Sequence, residues 1–502
     1  MVKKRTNRST SGSGFPYNET SFESSLKEQL NDSPDLKIKT FELNNQTILL
    51  AFLTYQINKE EMERSLLLPL TSRKVTWTNA SLLNEIPLSS GSSASEIGKL
   101  AQELIKGSVG IYIVGESEAV TFFLPNLEKR ALNRAETESL VFGPQISFTE
   151  SLVTNLNVVR WRLDTEDLVV EKIIIGERIK SEVRLVYLKS LANDTNVNTM
   201  RQRLTDLKVD EIEDSSVLSQ FIEDKSSSIF PQLLMTELPD RFCYAITRGK
   251  VGVLVDKSPT GIIGPTTLFS FFESTEDLYM RWNMGTFLRV LRIFAMIISI
   301  VLTPLYVAAL TFHYEIIPQS LLISLGQSRA MVPFPPIMEA LLLEILIELL
   351  REAGARLPTK VGQTMGIVGG IVLGQAAVKA GFTSNILIIV IALSALASFT
   401  APSYLMGTAI RIIRFPMIIL AGTFGLIGLM FGVAFLLIHL LKVTSLGRPY
   451  FAPIYPILLK DFDDSLFRLP FSKSNKLPLA NQVKRRKRYP QEQAKKRKDI
   501  DE

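Results

Sequence analysis

The sequence predicts an α/β cytosolic region of two small subdomains followed by an all-α polytopic membrane domain, and three observations carry that expectation. Charged residues recur in every block up to about residue 285, whereas nearly all long apolar runs fall between 290 and 442. In the first half, short apolar runs alternate with polar windows of helical period, and they do so twice. The net charge of +6 is concentrated at the ends, in "VKKRTNR" and "KRRKRYPQEQAKKRK", so a basic balance says nothing about nucleic acid and none is expected as a partner.

Residues 1–36 are rich in Ser, Thr, Asn and Lys and read as a disordered basic tail. No apolar stretch follows the first basic residues, which argues against a signal peptide and keeps the N-terminal half in the cytosol. The first subdomain, 37–130, has "TILLAFLTY" as a strand, "KEEMERSLLLPL" and "ASEIGKLAQELIKG" as helices and "VGIYIVGESEAVTFFLP" as a strand pair. Residues 131–163 lack clean periodicity and read as a connector. The second subdomain, 164–285, repeats the style. It has strands in "LVVEKIIIGERIKSEVRLVYLKS", helices in "VNTMRQRLTDLK" and "SSVLSQFIED", and a strand pair in "RFCYAITRGKVGVLVDK" closed at Arg248-Gly249.

The membrane domain is placed at 286–445, with a basic cytosolic tail at 446–502 whose Lys/Arg cluster suits anionic lipid head groups. Crossing about 30 Å of hydrocarbon takes about 20 helical residues. Four segments meet that need: 293–312 with Pro304 as a kink, 361–380, the shorter 385–401, and 416–443. An amphipathic helix at 336–354 is different in kind. At about 100° per residue, Glu344, Glu348 and Glu352 share a sector of roughly 80°, with Leu342, Leu343, Leu346 and Leu350 opposite and Glu339 apart in the first turn. Such a stripe must face water, a partner or an aqueous cavity. Two readings stand: an interfacial helix with Glu348 paired to Arg351, or a cation vestibule formed by several copies.

The basic residues Arg281, Arg289 and Arg292, and the tail, put both chain ends in the cytosol. Four spans plus an embedded acidic helix follow, although Arg351, Arg356, Lys360, Arg411 and Arg414 then fall outside.

Within 361–380, Gly362, Gly366, Gly370 and Gly374 recur four apart, with Gly369 as an extra. In water each would cost a helix up to about 1 kcal/mol relative to alanine. In a bilayer small residues let helices approach closely, so the stripe packs against a helix of this chain or against a copy of itself around a pore. Gln363, Thr364 and Gln375 beside it line such a pore or hydrogen-bond to a neighbouring helix.

Chemistry is sparse. Cys243 is the single cysteine, and His313 and His439 the only histidines, so an internal disulfide and a histidine triad in the soluble half are excluded, and a His/Cys metal site is not expected. No phosphate-cradling or dinucleotide motif, H-E-x-x-H or G-x-S-x-G occurs. Asp240, Arg241 and Asp256 read as structural, and neither catalytic residues nor a cofactor are expected.

Five stretches carry a resemblance: "FGPQISFTESLVTN", "FPQLLMTELPDR", "GKVGVLVDKSPTGIIGPTTLFSFFESTEDLYMRW", "VPFPPIMEALLLEILIELLREAGARLP" and "RIIRFP". In this order and spacing, over about residues 40–460, the chain resembles the A subunit of bacterial spore germinant receptors. The resemblance implies a multi-pass protein of the spore inner membrane, acting with a second integral membrane subunit (B type) and a lipoprotein subunit (C type), and expected to homo-oligomerise. It also implies nutrient sensing that triggers release of monovalent cations, with the A subunit providing the ion path. A non-conducting scaffold and a secondary transporter are the alternatives.

Overall fold

The computed structural model describes residues 15–488 except 74, 127–133, 136–137, 139, 358–369, 371–373, 471–473 and 475. Residues 15–36, expected to be disordered, are ordered here. Helix α1 (Glu19–Gln29) presents Phe22 and Leu26 at i, i+4 and buries both completely.

Strands β1 (Leu36–Leu43) and β2 (Gln46–Leu53) then form a hairpin closed by Asn44 and Asn45, both at positive φ as a two-residue type I′ turn requires. After β3 (Gly91–Ala94) comes α2 (Ile97–Ile105), and then β4 (Ser108–Ile113) and β5 (Ala119–Phe123) complete an antiparallel sheet of order β1-β2-β4-β5-β3. Alternation along β2 feeds two cores. Ile48, Leu50 and Phe52 meet Trp77 and Phe122 on one face, while Leu49, Ala51 and Leu53 meet α1 and α2 on the other.

The second subdomain repeats this plan. Helix α3 (Leu152–Arg162) takes the place of α1, and its buried Leu152, Leu156 and Val159 assign the second part of the expected connector to this subdomain. Strands β6 (Leu168–Ile175), β7 (Ser181–Leu188), β8 (Leu234–Thr236), β9 (Val251–Val255) and β10 (Gly261–Gly264) pair in the order β6-β7-β9-β10-β8, the first sheet's order shifted by five. The expected strand pair around Arg248-Gly249 is instead a helix, α4 (Pro239–Thr247), followed by β9. Pro239 at the first helical position and the buried Phe242, Ala245 and Ile246 on one face select that helix. Arg184 clasps Asp35 through two bonds of 2.8 and 3.0 Å and so joins the two subdomains.

Helix α5 (Trp282–Phe312, 31 residues) leaves this platform eleven residues earlier than the expected span and keeps Pro304 inside it. Its root is fixed by Asp277, fully buried, which accepts from Arg292 at 2.8 Å and faces Arg289. Positions along α5 give a ruler for the remaining helices.

Helix α6 (Pro336–Arg356) starts at the far end, where Ile337 packs on Gly422, and descends past Thr303 to Arg411. Helix α7 (Asn385–Ser398, 14 residues) also descends. Ser384 at its cap meets the Tyr306 hydroxyl at 3.2 Å, and Ser394 donates to the Ser299 carbonyl at 3.0 Å.

Helix α8 (Tyr404–Lys442) corrects the expected straight span at 416–443. Gly425 has φ 62° and ψ −143°, and a Cβ there would lie 2.9 Å from His313 Nε2 at the far end. A Cβ on Gly432 would lie 2.5 Å from Met417 Sδ, although fifteen residues of straight helix span about 22 Å. The helix therefore reverses at Gly425 and forms two antiparallel arms, 404–424 rising and 426–442 returning. The returning arm ends on the platform, where His439 Nε2 lies 3.0 Å from Ser228 Oγ and Tyr450 donates to the Pro231 carbonyl at 2.8 Å.

Residues 444–488 do not hang free as a tail. Lys484 N–H donates to the Leu191 carbonyl at 3.0 Å, Asn481 to that of Arg248 at 3.1 Å, and Arg468 to those of Leu278 and Met280 at 2.6 Å.

Candidate functional site: the charged centre of the helical half

A carboxylate and a guanidinium inside an apolar bundle are tolerated only when they neutralise each other and satisfy their remaining hydrogen bonds. The bundle holds a neutralised pair halfway along α5, with every polar atom but Arg414 Nε bonded among the described residues. Arg414 of α8 donates to Glu344 of α6 at 2.7 Å, to Ser299 Oγ of α5 at 2.5 Å and to the Ser394 carbonyl of α7 at 3.3 Å. Thr303 of α5 supplies a further bond to Glu344 at 3.3 Å. Glu344 is 1% exposed and Arg414 2%, so α5, α6, α7 and α8 meet at one desolvated ion pair.

A second centre lies toward the far end. Glu339, expected to stand apart in the first turn of its helix, is 2% exposed, pairs with Arg329 at 2.9 Å and accepts the Ser384 N–H at 3.1 Å. Its charge thereby complements the N-terminus of α7.

The acidic stripe is thus not one solvated surface. Glu344 is withdrawn into the bundle, Glu348 is half-buried between Arg351 and Arg411, and Glu352 is exposed beside Arg356 at 2.5 Å. The three carboxylates share a helix face, but the rising arm of α8 covers its upper part and only the last turn reaches the surface.

Of the glycine-segment residues, Gly362, Gln363, Thr364, Gly366 and Gly369 lie outside the described residues. Gly370 is exposed, Gly374 half-buried and Gln375 exposed, the last two in the helix Gly374–Lys379. A Cβ on Gly370 or Gly374 would meet nothing within 4 Å. At these two positions, then, no side chain or backbone among the described residues lies against an added Cβ.

Sequence reasoning missed Arg414, Ser299, Thr303 and Ser394, because it ended the fourth span short of "RIIRFP" and left both arginines outside. A signal was available: Arg411 and Arg414, set i, i+3 among apolar neighbours, are the bases a buried Glu344 requires. Asp240 and Arg241, expected to be structural, both have protein partners. Tyr279 donates to Asp240 at 3.2 Å, and Arg241 holds Glu138 at 2.8 Å and the Glu273 carbonyl at 2.9 Å.

Comparison with known proteins points the same way as the sequence motifs. Residues 24–480 match the family described as Bacillus/Clostridium GerA spore germination protein. Spore germination protein GerQA of Bacillus cereus is 42% identical over 476 residues, covering 94% of this chain and 95% of that protein. Spore germination protein A1 of Bacillus subtilis (strain 168) is 39% identical over 378 residues, 75% of this chain and 78% of the relative. A crystal structure of the N-terminal domain of the A subunit of the Bacillus megaterium spore germinant receptor GerK3 aligns at 26% identity with a TM-score of 0.39, over 51% of this chain and 97% of that one.

Proposed function

Because the chain belongs to the GerA spore germination family, we propose that it is the membrane subunit of a nutrient-germinant receptor, which oligomerises to form or gate a cation pathway in the spore inner membrane. The observation that carries this reading is the bare glycine face: among the described residues nothing lies within 4 Å of a Cβ added on Gly370 or Gly374, whereas the long helices bury small and polar residues against one another. A glycine face costs helix stability and is kept where another backbone comes close, and a second copy supplies that backbone.

The order of the helices supports six crossings rather than four. Helices α5, α6 and α7 and the two arms of α8 account for five. Arg356 lies at the platform end and Gly381 at the far end, where a Cβ would lie 2.7 Å from the Met331 carbonyl, so a sixth crossing is inferred from the positions of these two residues alone. Both chain ends then sit on the platform side, in the cytosol. Arg351, Arg356 and Arg411 now fall toward the platform end and Arg414 at mid-depth, which eases the conflict with the positive-inside expectation. Basic residues 484–488 lie on that side too, within reach of anionic lipid head groups. A B-type membrane subunit and a C-type lipoprotein are the expected partners.

One observation favours the non-conducting scaffold instead: Arg414 neutralises Glu344, so that carboxylate offers a cation no net charge. Glu348, between Arg351 and Arg411, and Glu352, beside Arg356, are paired as well, so in the conducting reading only the exposed Glu352 reaches a vestibule. Spores deleted for the chain test the receptor role. Loss of the response to at least one nutrient, restored by the wild-type chain, supports it, and an unchanged response to every nutrient overturns it.

A further inference from the structure

The platform holds a cavity of about 70 Å³ between α4, the start of β9 and two C-terminal stretches, 461–465 and 478–481. Three cations wall it, Arg241, Arg248 and Lys250, against two carboxylates, Glu273 and Asp461. We propose that this cavity binds one small monovalent anion, of the size of chloride or formate, and that the anion pins residues 478–481 to the platform.

Size and charge carry the proposal. At the roughly 30 Å³ that a water molecule occupies in the liquid, the space takes about two waters or one such ion, and it is too small for a sugar or an amino acid. Both carboxylates are already answered. Glu273 lies 3.9 Å from Arg289 at the root of α5. The two oxygens of Asp461 accept the N–H groups of Leu479 at 2.8 Å and Ala480 at 2.7 Å. Arg241 is matched by Glu138 at 2.8 Å, and Arg248 stacks on the Tyr244 ring at 4.6 Å. The Lys250 ammonium makes a single hydrogen bond among the described residues, to the neutral Ser270 Oγ at 3.2 Å. With these partners included, one positive charge is left over in a confined space, where like charges repel more strongly than in water, and one monovalent anion balances it. Ser465 and Asn481 share the wall with Lys250, so a single ion is within reach of both the platform and the C-terminal stretches.

Such a site stands whether or not the chain is a receptor. In the test, full-length chain in detergent is kept at constant ionic strength while sodium gluconate, whose anion is too large to enter, is replaced by sodium chloride, so that screening does not change. Bound chloride is read from the excess width of the chloride NMR line, and its effect on the fold from the melting temperature. At neutral pH, saturable broadening with a parallel rise in melting temperature is expected, and formate should displace the chloride. Lys250→Met should abolish the saturable part. Trypsin cleavage after Lys476 and Lys484, on either side of residues 478–481, should slow as chloride saturates. Burial, reinforced by Arg248 and Arg241 and opposed by Glu273, holds the Lys250 ammonium down to about 8. Chloride affinity should therefore stay level below that pH and fall about tenfold per unit above it, where each ion bound must bring a proton back. No saturable broadening with folded wild-type chain, or an affinity that does not change with pH, overturns the proposal. So does broadening that persists in a Lys250→Met chain melting as cooperatively as wild type; if that variant does not fold, the pH series on wild type decides. Cleavage that saturating chloride leaves unchanged overturns the pinning.

Discussion

Arg414 donates to Glu344 across 2.7 Å in the middle of the helical half, with both side chains shut away from the surface. Four helices contribute to the bonds around that pair, so its integrity is tied to the packing of the bundle. Removing one partner leaves a buried charge alone, at a cost of about 3–5 kcal/mol. Glu344→Gln and Arg414→Gln should each lower the melting temperature of the detergent-solubilised chain markedly, and the double variant Glu344→Met/Arg414→Met should regain most of the loss. Equal stability of the single variants and wild type would show that the pair is not a packing centre.

The proposed six crossings would place His313 and Phe424 on one side of the membrane and Arg356 and Ser403 on the other. Single cysteines at these positions, probed with a membrane-impermeant maleimide on inside-out and right-side-out vesicles, should label in those two groups. Cys243 gives little background, since burial pushes its thiol up to about 12. Labelling of Phe424 and Ser403 from the same side would contradict the reversal at Gly425.

Substitution at Gly425 is the local counterpart. Its positive φ disfavours any side chain with a Cβ, and the added carbon would lie 2.9 Å from His313 Nε2. Gly425→Val should therefore reduce the folded yield of the chain in membranes, whereas Gly326→Val, in open space at ordinary φ, should not. Equal yields would remove the steric argument.

Lys250, at the start of β9, predicts a pH dependence. Burial holds its ammonium down to about 8, against an ordinary value of 10.5. Below pH 8 both folded and unfolded chains carry the proton. Between about 8 and 10.5 the unfolded chain keeps a proton that the folded chain has released, so this group makes stability rise with pH through that window. Melting curves of wild type and Lys250→Met across it should converge toward high pH as the wild type loses the cost of its buried charge. Parallel curves would sink the assignment.

The two-subdomain plan was legible in the sequence because its signals are local: alternation in β2 and β7, helical spacing in α2, polar breaks between them. The order of α1 and α3 was obscured by polar composition, although Phe22 and Leu26, and Leu152, Leu156 and Val159, carry helical spacing. Strand against helix at 239–247 turned on Pro239 and on the helical spacing of Phe242, Ala245 and Ile246. The reversal in α8 left almost no mark, since a glycine at 425 among apolar residues reads the same in a straight span. The Glu344–Arg414 pair joins positions seventy residues apart, and only the fold brings them together. The acidic stripe was visible as a pattern on one helix, but what covers it belongs to another.

The glycine face yields the sharpest structural variant. In a single chain Gly370 has room for a side chain, so Gly370→Leu should leave the melting temperature of the subunit unchanged and reduce its oligomer size by light scattering. An unchanged oligomer would assign the face to lipid.

Ion flux decides the function itself. The chain is reconstituted in potassium-loaded liposomes with its B-type and C-type partners, and potassium release is followed on adding a nutrient to which the spores respond. Nutrient-dependent release, abolished by Gly370→Leu and slowed by Glu352→Gln, is the predicted result; liposomes that bind nutrient yet release no potassium with the wild-type chain would contradict it.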